Sequence, residues 1–365
     1  MSKNKIFLFA LAAICIVGVV SIYTASHNRD AASLKIGIIS PLTGQYAKFG
    51  ENLVKGAQLA IDEYNTQNNT HVLVVVEDDG FEEKKGLSAY HKLMSLDTVD
   101  ALVVGSSATI NAIYTDVSKL DIPVVTYGAQ SIEETDDNVF HVYPSSVPVI
   151  QVMAEYISQT APTSTVSALV TNDIITTKFL DVFKKELKNN LTSIHLIDKD
   201  THDSRTDVLK VMSEKPDYIF MSNLVDVGTV AVKNILLFRK DNTRPRILFD
   251  QTFNEVFSDY QKVLGSNMKL LNGSIVVSVK KGDPSIFAAK YKATYGGEPG
   301  PLADYGYDAM MLLLKNHSTD HHTWISKISK SNYVGMSGLI KFDDVGRRIP
   351  EFRITEIKDG RIPEF

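Results

Sequence analysis

Short apolar runs alternate along the chain with longer segments whose apolar residues recur at helical spacing. In the first part, the apolar runs predict β-strands at residues 34–40, 71–77, 101–105 and 123–127. The segments between these runs predict helices at residues 51–65, 84–96 and 109–119. This order of strand and helix is typical of a parallel sheet covered by helices on both faces.

The same alternation begins again near the middle of the chain. Further strands are predicted at residues 166–171, 193–198, 218–221 and 246–249, and helices at residues 177–189, 203–214 and 225–240. We therefore predict an α/β protein with two similar lobes, each a doubly wound parallel sheet.

Segments rich in proline and glycine predict where the chain passes between the two lobes. We expect three crossings, at residues 142–148, 277–284 and 335–338. They predict an N-terminal lobe of residues 34–146 and 278–337, and a C-terminal lobe of residues 147–277 and 338–365.

Residues 1–33 have the pattern of an export segment and are excluded from the predicted fold. Lys3 and Lys5 precede an uncharged run at residues 6–23, which a polar stretch follows. Cleavage after Ser26 would remove the segment. The run is also long enough to be retained as a membrane anchor, and both alternatives stay open.

Cysteine content and charge exclude several classes of function. Cys15 is the single cysteine, and Ile14 before it is not the small residue that a lipidation motif needs. The exported part therefore has no disulfide and no cysteine chemistry. The formal net charge is −5, and removing the two lysines among residues 1–26 makes it −7. A mildly acidic chain without basic runs is a poor candidate for binding nucleic acid.

Candidate binding residues follow the first predicted strand of the first lobe. Tyr46 and Phe49 lie between Gly44 and Gly50, in a loop that joins this strand to a helix. Ligands bind at the carboxyl ends of strands in open α/β sheets, so the two aromatic residues either line an apolar pocket or cap the sheet edge.

Small residues follow the third and fourth predicted strands. Ser106 and Ser107 precede a helix whose N-terminal N–H groups form a natural carboxylate site, and capping by Ser107 or Thr109 is the alternative. After the fourth strand, Gly128, Ala129 and Gln130 bring further main-chain groups to the same edge, or simply form a turn.

Two polar clusters are assigned no chemistry. The acidic residues at 77–79 are interpreted as a solvated loop and helix cap, and the histidines at 317, 321 and 322 lack the spacing of metal ligands. The sequence also shows no nucleophile–base pair and no phosphate-binding loop. We therefore predict no cofactor and no catalytic site.

A series of motifs carries a family resemblance across nearly the whole chain after residue 33. Gly44 and Gly50 precede Gly56-Ala57, and the turns at residues 105–107 and 126–131 follow at the expected interval. Later motifs lie at residues 297–299, 305–309, 338–346 and 357–360. In this order they resemble the type I periplasmic solute-binding proteins, in the branched-chain amino-acid receptor group.

The resemblance implies two lobes, joined by three crossings, that close over a small solute and deliver it to the membrane subunits of an ABC importer. In amino-acid-binding relatives, the solute carboxylate is held by groups that correspond to Ser107, Gly128 and Ala129. Gln130 stands where the family has a threonine, and an aromatic that corresponds to Phe49 or Tyr46 packs on the solute.

The second lobe departs from the family pattern. The segment that ends at Thr177 stands where the family presents a tyrosine, Leu224 follows the third strand, and Asp250 is the candidate acceptor for a solute ammonium group. The solute is therefore expected to be an amino acid or a related carboxylate. A sensory or partner-regulating receptor of the same fold is the alternative. Membrane contact is expected only through the N-terminal segment, if that segment is not cleaved.

Overall fold

The structure is a computed structural model. It describes residues 34–127, 138–172, 174–188, 190–198, 201, 203–222, 225–239 and 245–363, with the backbone alone at residues 146, 174–179 and 225. The predicted export segment, the 128–130 turn and Leu224 lie outside the described residues.

The strands of the described chain are named in sequence order. They are β1 Lys35–Ser40, β2 Leu73–Asp78, β3 Ala101–Val104, β4 Val124–Thr126, β5 Val139–His141, β6 Val166–Asn172, β7 Leu191–Asp198, β8 Tyr218–Ser222, β9 Arg246–Phe249, β10 Ile275–Val279, β11 Asn332–Gly335, β12 Gly338–Lys341 and β13 Phe352–Glu356.

The α-helices are named in the same way. They are α1 Ala47–Asn68, α2 Glu83–Lys92, α3 Ser107–Val117, α4 Ser146–Thr160, α5 Ile174–Glu186, α6 Arg205–Ser213, α7 Val225–Phe238, α8 Gln251–Glu255, α9 Phe257–Leu264, α10 Pro284–Tyr295, α11 Ala303–Asn316 and α12 His321–Ser329. None of the helices in the described ranges has both the length and the apolar character needed to cross a bilayer.

The described strands form two large sheets and one hairpin. The first sheet has the order β2-β1-β3-β4-β5 with parallel pairs throughout. The second has the order β13-β10-β9-β8-β6-β7, in which β13 alone pairs antiparallel. Strands β3 and β10, each of which lies between two neighbouring strands, are buried along their length, as expected when helices cover both faces of a sheet. The predicted α/β fold is confirmed.

Several predicted boundaries differ from the structure, and three of the differences concern the candidate site or the crossings. Helix α1 begins at Ala47, so Phe49 lies in its first turn and not in the preceding loop. Strand β10 continues to Val279, so part of the predicted 277–284 crossing is a buried strand. Residues 335–338, predicted as a crossing, form the turn of the β11–β12 hairpin, in which Gly335 pairs with Gly338.

The chain passes from the first sheet to the second through residues 142–145, which we name the first passage, and returns through residues 280–283, the second passage. The last transfer follows Arg348, whose backbone N–H donates to His141 O at 3.2 Å, before the chain enters β13. A backbone hydrogen bond therefore links the end of strand β5 to Arg348, at the point where the chain leaves the first sheet.

Helices α1 and α11 pack unusually closely over the first sheet. A Cβ atom at Gly56 would lie 1.8 Å from the carbonyl oxygen of Ala303, and one at Gly306 would lie 2.0 Å from the oxygen of Leu53. Both distances are far below van der Waals contact, so each helix needs glycine where the other crosses it. This contact joins the start of the chain to a segment that follows the second sheet.

Candidate functional site

The loop after β1 is held by the carboxylate at the end of β2. Asp78 Oδ1 accepts from Leu42 N at 2.8 Å, and Asp78 Oδ2 accepts from Thr43 Oγ1 at 2.6 Å. Burial alone would raise the pKa of Asp78, but hydrogen bonds from Thr43, Gly80 and Leu42 hold it below its ordinary value. The loop therefore has a fixed, ionised anchor.

The two candidate aromatic residues of this loop have different surroundings. Tyr46 precedes α1 and packs against Phe81 in a tilted arrangement, with ring centroids 4.2 Å apart. Phe49 instead packs against the hydrophobic core that covers the second sheet. Of the pair, Phe49 is the residue that reaches the other lobe.

Asp79 is a buried supporting residue that the sequence interpretation missed. The cluster at residues 77–79 was expected to be solvated, but Asp79 is completely buried. Its Oδ2 accepts from the hydroxyls of Ser106 and Thr109, and its Oδ1 accepts from Phe81 N at 2.9 Å. A carboxylate is stable in this position because hydrogen-bond donors surround it.

Asp79 therefore supports the turn between β3 and α3. Ser106 is the N-cap of α3, since its Oγ accepts from Thr109 N at 3.2 Å while its hydroxyl donates to Asp79. The alternative prediction, that a side chain caps this helix, is right about the cap but wrong about the residue. The cap is Ser106 and not Ser107 or Thr109. Ser107 is the first residue of the helix and is half-buried.

The candidate acid of the second lobe is also at a strand end. Asp250 follows β9 and is 6% exposed. It accepts from Ser222 Oγ, at the end of β8, at 2.6 Å and from Thr252 N at 2.9 Å. Burial raises the pKa of Asp250 above its ordinary value, although these hydrogen bonds oppose the effect. The segment that ends at Thr177 lies in α5, so its backbone is helical and not a turn.

Contacts between the lobes join groups that follow strand ends of both sheets. Lys48 in α1 forms an ion pair with Asp259 in α9, with Nζ and Oδ2 3.1 Å apart. Gln251, which follows Asp250, donates from Nε2 to Pro144 O in the first passage at 3.3 Å. Groups that follow strand ends of the two sheets are therefore in direct contact with each other.

A half-buried ion cluster lies beside both passages. Lys281 Nζ, in the second passage, is 2.6 Å from Asp304 Oδ2 and 3.1 Å from Glu255 Oε1. Burial opposes the charge on Lys281, but the two carboxylates outweigh it and raise the pKa of Lys281. Burial also raises the pKa of Glu255. Sequence reasoning missed this cluster because its members lie on separate elements.

Tyrosine rings border the ion cluster. Tyr127, at the end of β4, lies edge-on to Tyr143 of the first passage, with centroids 5.0 Å apart. Tyr143 is 5.1 Å from Tyr305, and Lys281 Nζ lies 5.0 Å from the centre of the Tyr305 ring. Burial raises the pKa of all three tyrosine hydroxyls, so they are neutral hydrogen-bonding groups at physiological pH.

Comparison with known proteins identifies the family. The family model described as "Periplasmic binding protein" matches residues 33–361. Among curated proteins, Leu/Ile/Val-binding protein homolog 3 of Brucella melitensis is 25% identical over 171 residues, which are 45% of this chain and 46% of that protein. Leu/Ile/Val-binding protein BraC3 of Rhizobium johnstonii is 39% identical over 66 residues, or 17% of this chain and 18% of that protein. The chain thus spans less than half the length of these relatives.

Solved structures match the fold over almost its full length. The branched-chain amino acid transporter substrate binding protein LivJ of Streptococcus pneumoniae, in complex with isoleucine, has a TM-score of 0.76 at 18% identity and covers 91% of this chain and 98% of its own. An ABC transporter solute binding protein of R. palustris, in complex with benzoate, has a TM-score of 0.77 at 16% identity, with 91% and 95% covered.

These matches concern binding proteins and not enzymes, in agreement with the non-enzymatic interpretation of the sequence. Their names and the extent of the matches also support the resemblance carried by the sequence motifs. The partial matches to Leu/Ile/Val-binding proteins agree with the resemblance to the branched-chain amino-acid receptor group, and the family model shows that the chain belongs to the periplasmic binding protein family.

Proposed function

We propose that this protein is an exported receptor that captures a small carboxylate-bearing solute in the interlobe cleft and delivers it to the membrane subunits of an ABC importer. The main support is the direct contact between groups that follow strand ends of the two sheets, as where Lys48 pairs with Asp259. Isoleucine and benzoate, named with two of the similar structures, share a carboxylate.

We assign the carboxylate to the N-terminus of α3. Ser107 offers a backbone N–H and a hydroxyl there, where the helix dipole favours an anion. Asp79 and Ser106 hold the turn in place, and the main chain at Gly128 and Ala129, with Gln130, supplies the other donors. Pre-positioned donors bind an anion more strongly because little order is lost on binding.

The rest of the solute faces both lobes in this proposal. Phe49 packs on its apolar part, while Tyr46 supports the loop through Phe81. From the sequence alone, we also assign Thr177 and Leu224 to the contacts that the second lobe makes with the solute. Asp250 is the candidate acceptor for an ammonium group, so the solute is an amino acid or a related carboxylate.

Binding would favour the closed arrangement of the lobes, which the importer then recognises. We propose lobes of residues 34–146 with 278–337 and of residues 147–277 with 338–365. The first and second passages absorb the rotation. Export through the N-terminal segment would place the protein outside the cytoplasm, free or anchored.

A thermal-shift screen of the purified protein against amino acids and aromatic acids tests the binding function. A solute at about 100 times its Kd should add about 2.7 kcal/mol of stability. Ser107→Ala should then weaken binding by roughly 1.5–3 kcal/mol, the range for losing one hydrogen bond to a charged group. Ser118→Ala is the matched control, because Ser118 at the other end of α3 donates to Thr115 O.

Two outcomes would contradict the proposal. Unchanged affinity in Ser107→Ala would remove the α3 turn from the carboxylate site. Equal uptake of the identified solute by cells with and without the gene would contradict delivery to an importer and favour the sensory alternative.

A further inference from the structure

A lysine and two carboxylates form a cation site at the second passage, on the side of the proposed cleft that we name the hinge side. The protein itself supplies both the cation and the groups that bind it. Lys281 lies in the second passage, Glu255 ends α8 beside the second sheet, and Asp304 lies in α11 over the first sheet. Their side chains are 25%, 8% and 15% exposed, respectively. The ammonium is therefore held between groups from both lobes.

The contacts of Lys281 are those that recognise a primary ammonium ion. Two carboxylates lie at 2.6 and 3.1 Å, and the face of Tyr305 lies at 5.0 Å. An ammonium has three N–H donors and is attracted to the negative face of an aromatic ring, most strongly when water is excluded. The site is thus filled by a lysine that belongs to the chain.

The groups around this site that have no partner are neutral. Among the described residues, the buried Tyr305 hydroxyl and Gln251 Oε1 have no hydrogen-bond partner. Tyr305 lies beside Tyr143, and Gln251 bonds to Pro144, so both border the first passage. Buried polar atoms are normally paired, so these atoms point to a polar group of a ligand or to an ordered water.

We propose that Lys281 is a specificity-determining residue that occupies an ammonium site at the hinge side of the cleft and excludes cationic groups of solutes from it. The solute group that reaches this end is then neutral and hydrogen-bonding, such as a hydroxyl, an amide or a phenol. The role in specificity rests on the proposed receptor function, because it presupposes a bound solute. The experiments that test it need neither the natural solute nor the importer.

Chemical rescue tests the ammonium site directly. Lys281→Ala removes three methylenes and the ammonium, which together match propylammonium. Thermal unfolding of wild type and variant is measured in equal concentrations of propylammonium chloride, 1-propanol and sodium chloride. We expect propylammonium, and neither of the other additives, to raise the unfolding midpoint of the variant by about 2 °C or more. The midpoint of the wild type should be the same in propylammonium chloride as in sodium chloride. Equal responses of the variant to the three additives would overturn the proposal.

Two further variants separate the charge from the space. Lys281→Met fills the site and should not respond to propylammonium, and Asp304→Asn in the Lys281→Ala background should lose most of the response. An undiminished response in either variant would contradict the assignment. If Lys281→Ala is insoluble, it is refolded with each additive. Greater recovery with propylammonium than with 1-propanol supports the site, and equal recovery overturns it.

A pair of carboxylate probes tests the specificity. In Lys281→Ala, 5-aminopentanoate should stabilise the protein more than 5-hydroxypentanoate, because the vacated site accepts the ammonium. Equal stabilisation by the two probes, or no stabilisation by either, would overturn the role in specificity. A failure here, with solute binding intact elsewhere in the cleft, leaves the receptor function standing.

Discussion

Replacing Ser106 by alanine should destabilise the first lobe far more than the same change at the adjacent Ser107. The Ser106 side chain is 1% exposed, donates to the buried Asp79 and accepts from Thr109 N. Ser107, as the first residue of α3, is half-buried and is not its cap. The two substitutions remove the same atom from neighbouring positions, so each controls for the other.

The magnitude follows from the contacts of the Ser106 hydroxyl. Loss of an N-cap costs about 1 kcal/mol. Loss of a hydrogen bond to a charged group costs about 1.5–3 kcal/mol. Since one hydroxyl makes both contacts, we expect a total of about 3 kcal/mol for Ser106→Ala. For Ser107→Ala we expect less than about 1.5 kcal/mol, the cost of one ordinary hydrogen bond.

Urea unfolding followed by tryptophan fluorescence measures the difference. Trp324 is the single tryptophan, is fully buried and donates from Nε1 to Leu313 O in α11, so it reports on the helices that cover the first sheet. A stability change should move the midpoint and leave the m value unchanged.

A third variant separates capping from support of Asp79. Ser106→Asp restores a capping oxygen but places a second carboxylate against Asp79, so we expect it to be less stable than Ser106→Ala at neutral pH. If Ser106→Asp is as stable as wild type, the hydroxyl acts only as a cap. If Ser106→Ala and Ser107→Ala cost the same, the buried carboxylate does not organise this turn.

Two other predictions concern the helices that cover the first sheet. Gly56→Ala should cost about 3 kcal/mol or more in the same unfolding assay, because its Cβ would meet the Ala303 oxygen. Gly297→Ala is the control and should be nearly neutral, because the space around Gly297 is open. Equal costs for the two variants would refute the close packing of the helices. The second concerns pH. Burial would raise the pKa of Glu63, but hydrogen bonds from Lys290 and Tyr307 outweigh it and lower that pKa. The carboxylate thus stabilises the fold above its unfolded pKa of about 4.3, and this contribution is lost as pH falls through the lower folded pKa. Glu63→Gln should therefore flatten the loss of stability between about pH 5 and 3, and an acid limb that stays as steep as in wild type would contradict this role.

Local spacing was sufficient to predict the repeated strands and helices, because each is long and periodic enough to show its own pattern. Strand β1 and helix α1 are examples. Strand β5, with three residues, was missed. The polar run at residues 77–79 was misinterpreted, because the burial of Asp79 depends on hydroxyls some thirty residues further along the chain.

Part of the candidate site could likewise be predicted from the sequence, and part could not. The strand-end turns were visible as small and aromatic residues at the ends of apolar runs, as at Ser107 and Phe49. The ion cluster around Lys281 was not, because Glu255 and Asp304 precede and follow it on different elements. No local pattern records which distant charges meet in a folded chain.

The close contact of α1 with α11 also constrains the order in which the chain can fold during synthesis. The groove at Gly56 is covered by Ala303, which leaves the ribosome roughly 250 residues later. At about 5–20 residues per second, that interval lasts roughly 12–50 s. Until then the first sheet lacks one of its covering helices, and the second sheet is translated in the meantime. The first lobe is therefore completed only after the strands of the second sheet have been made, so the two lobes cannot finish folding in the order of their first strands.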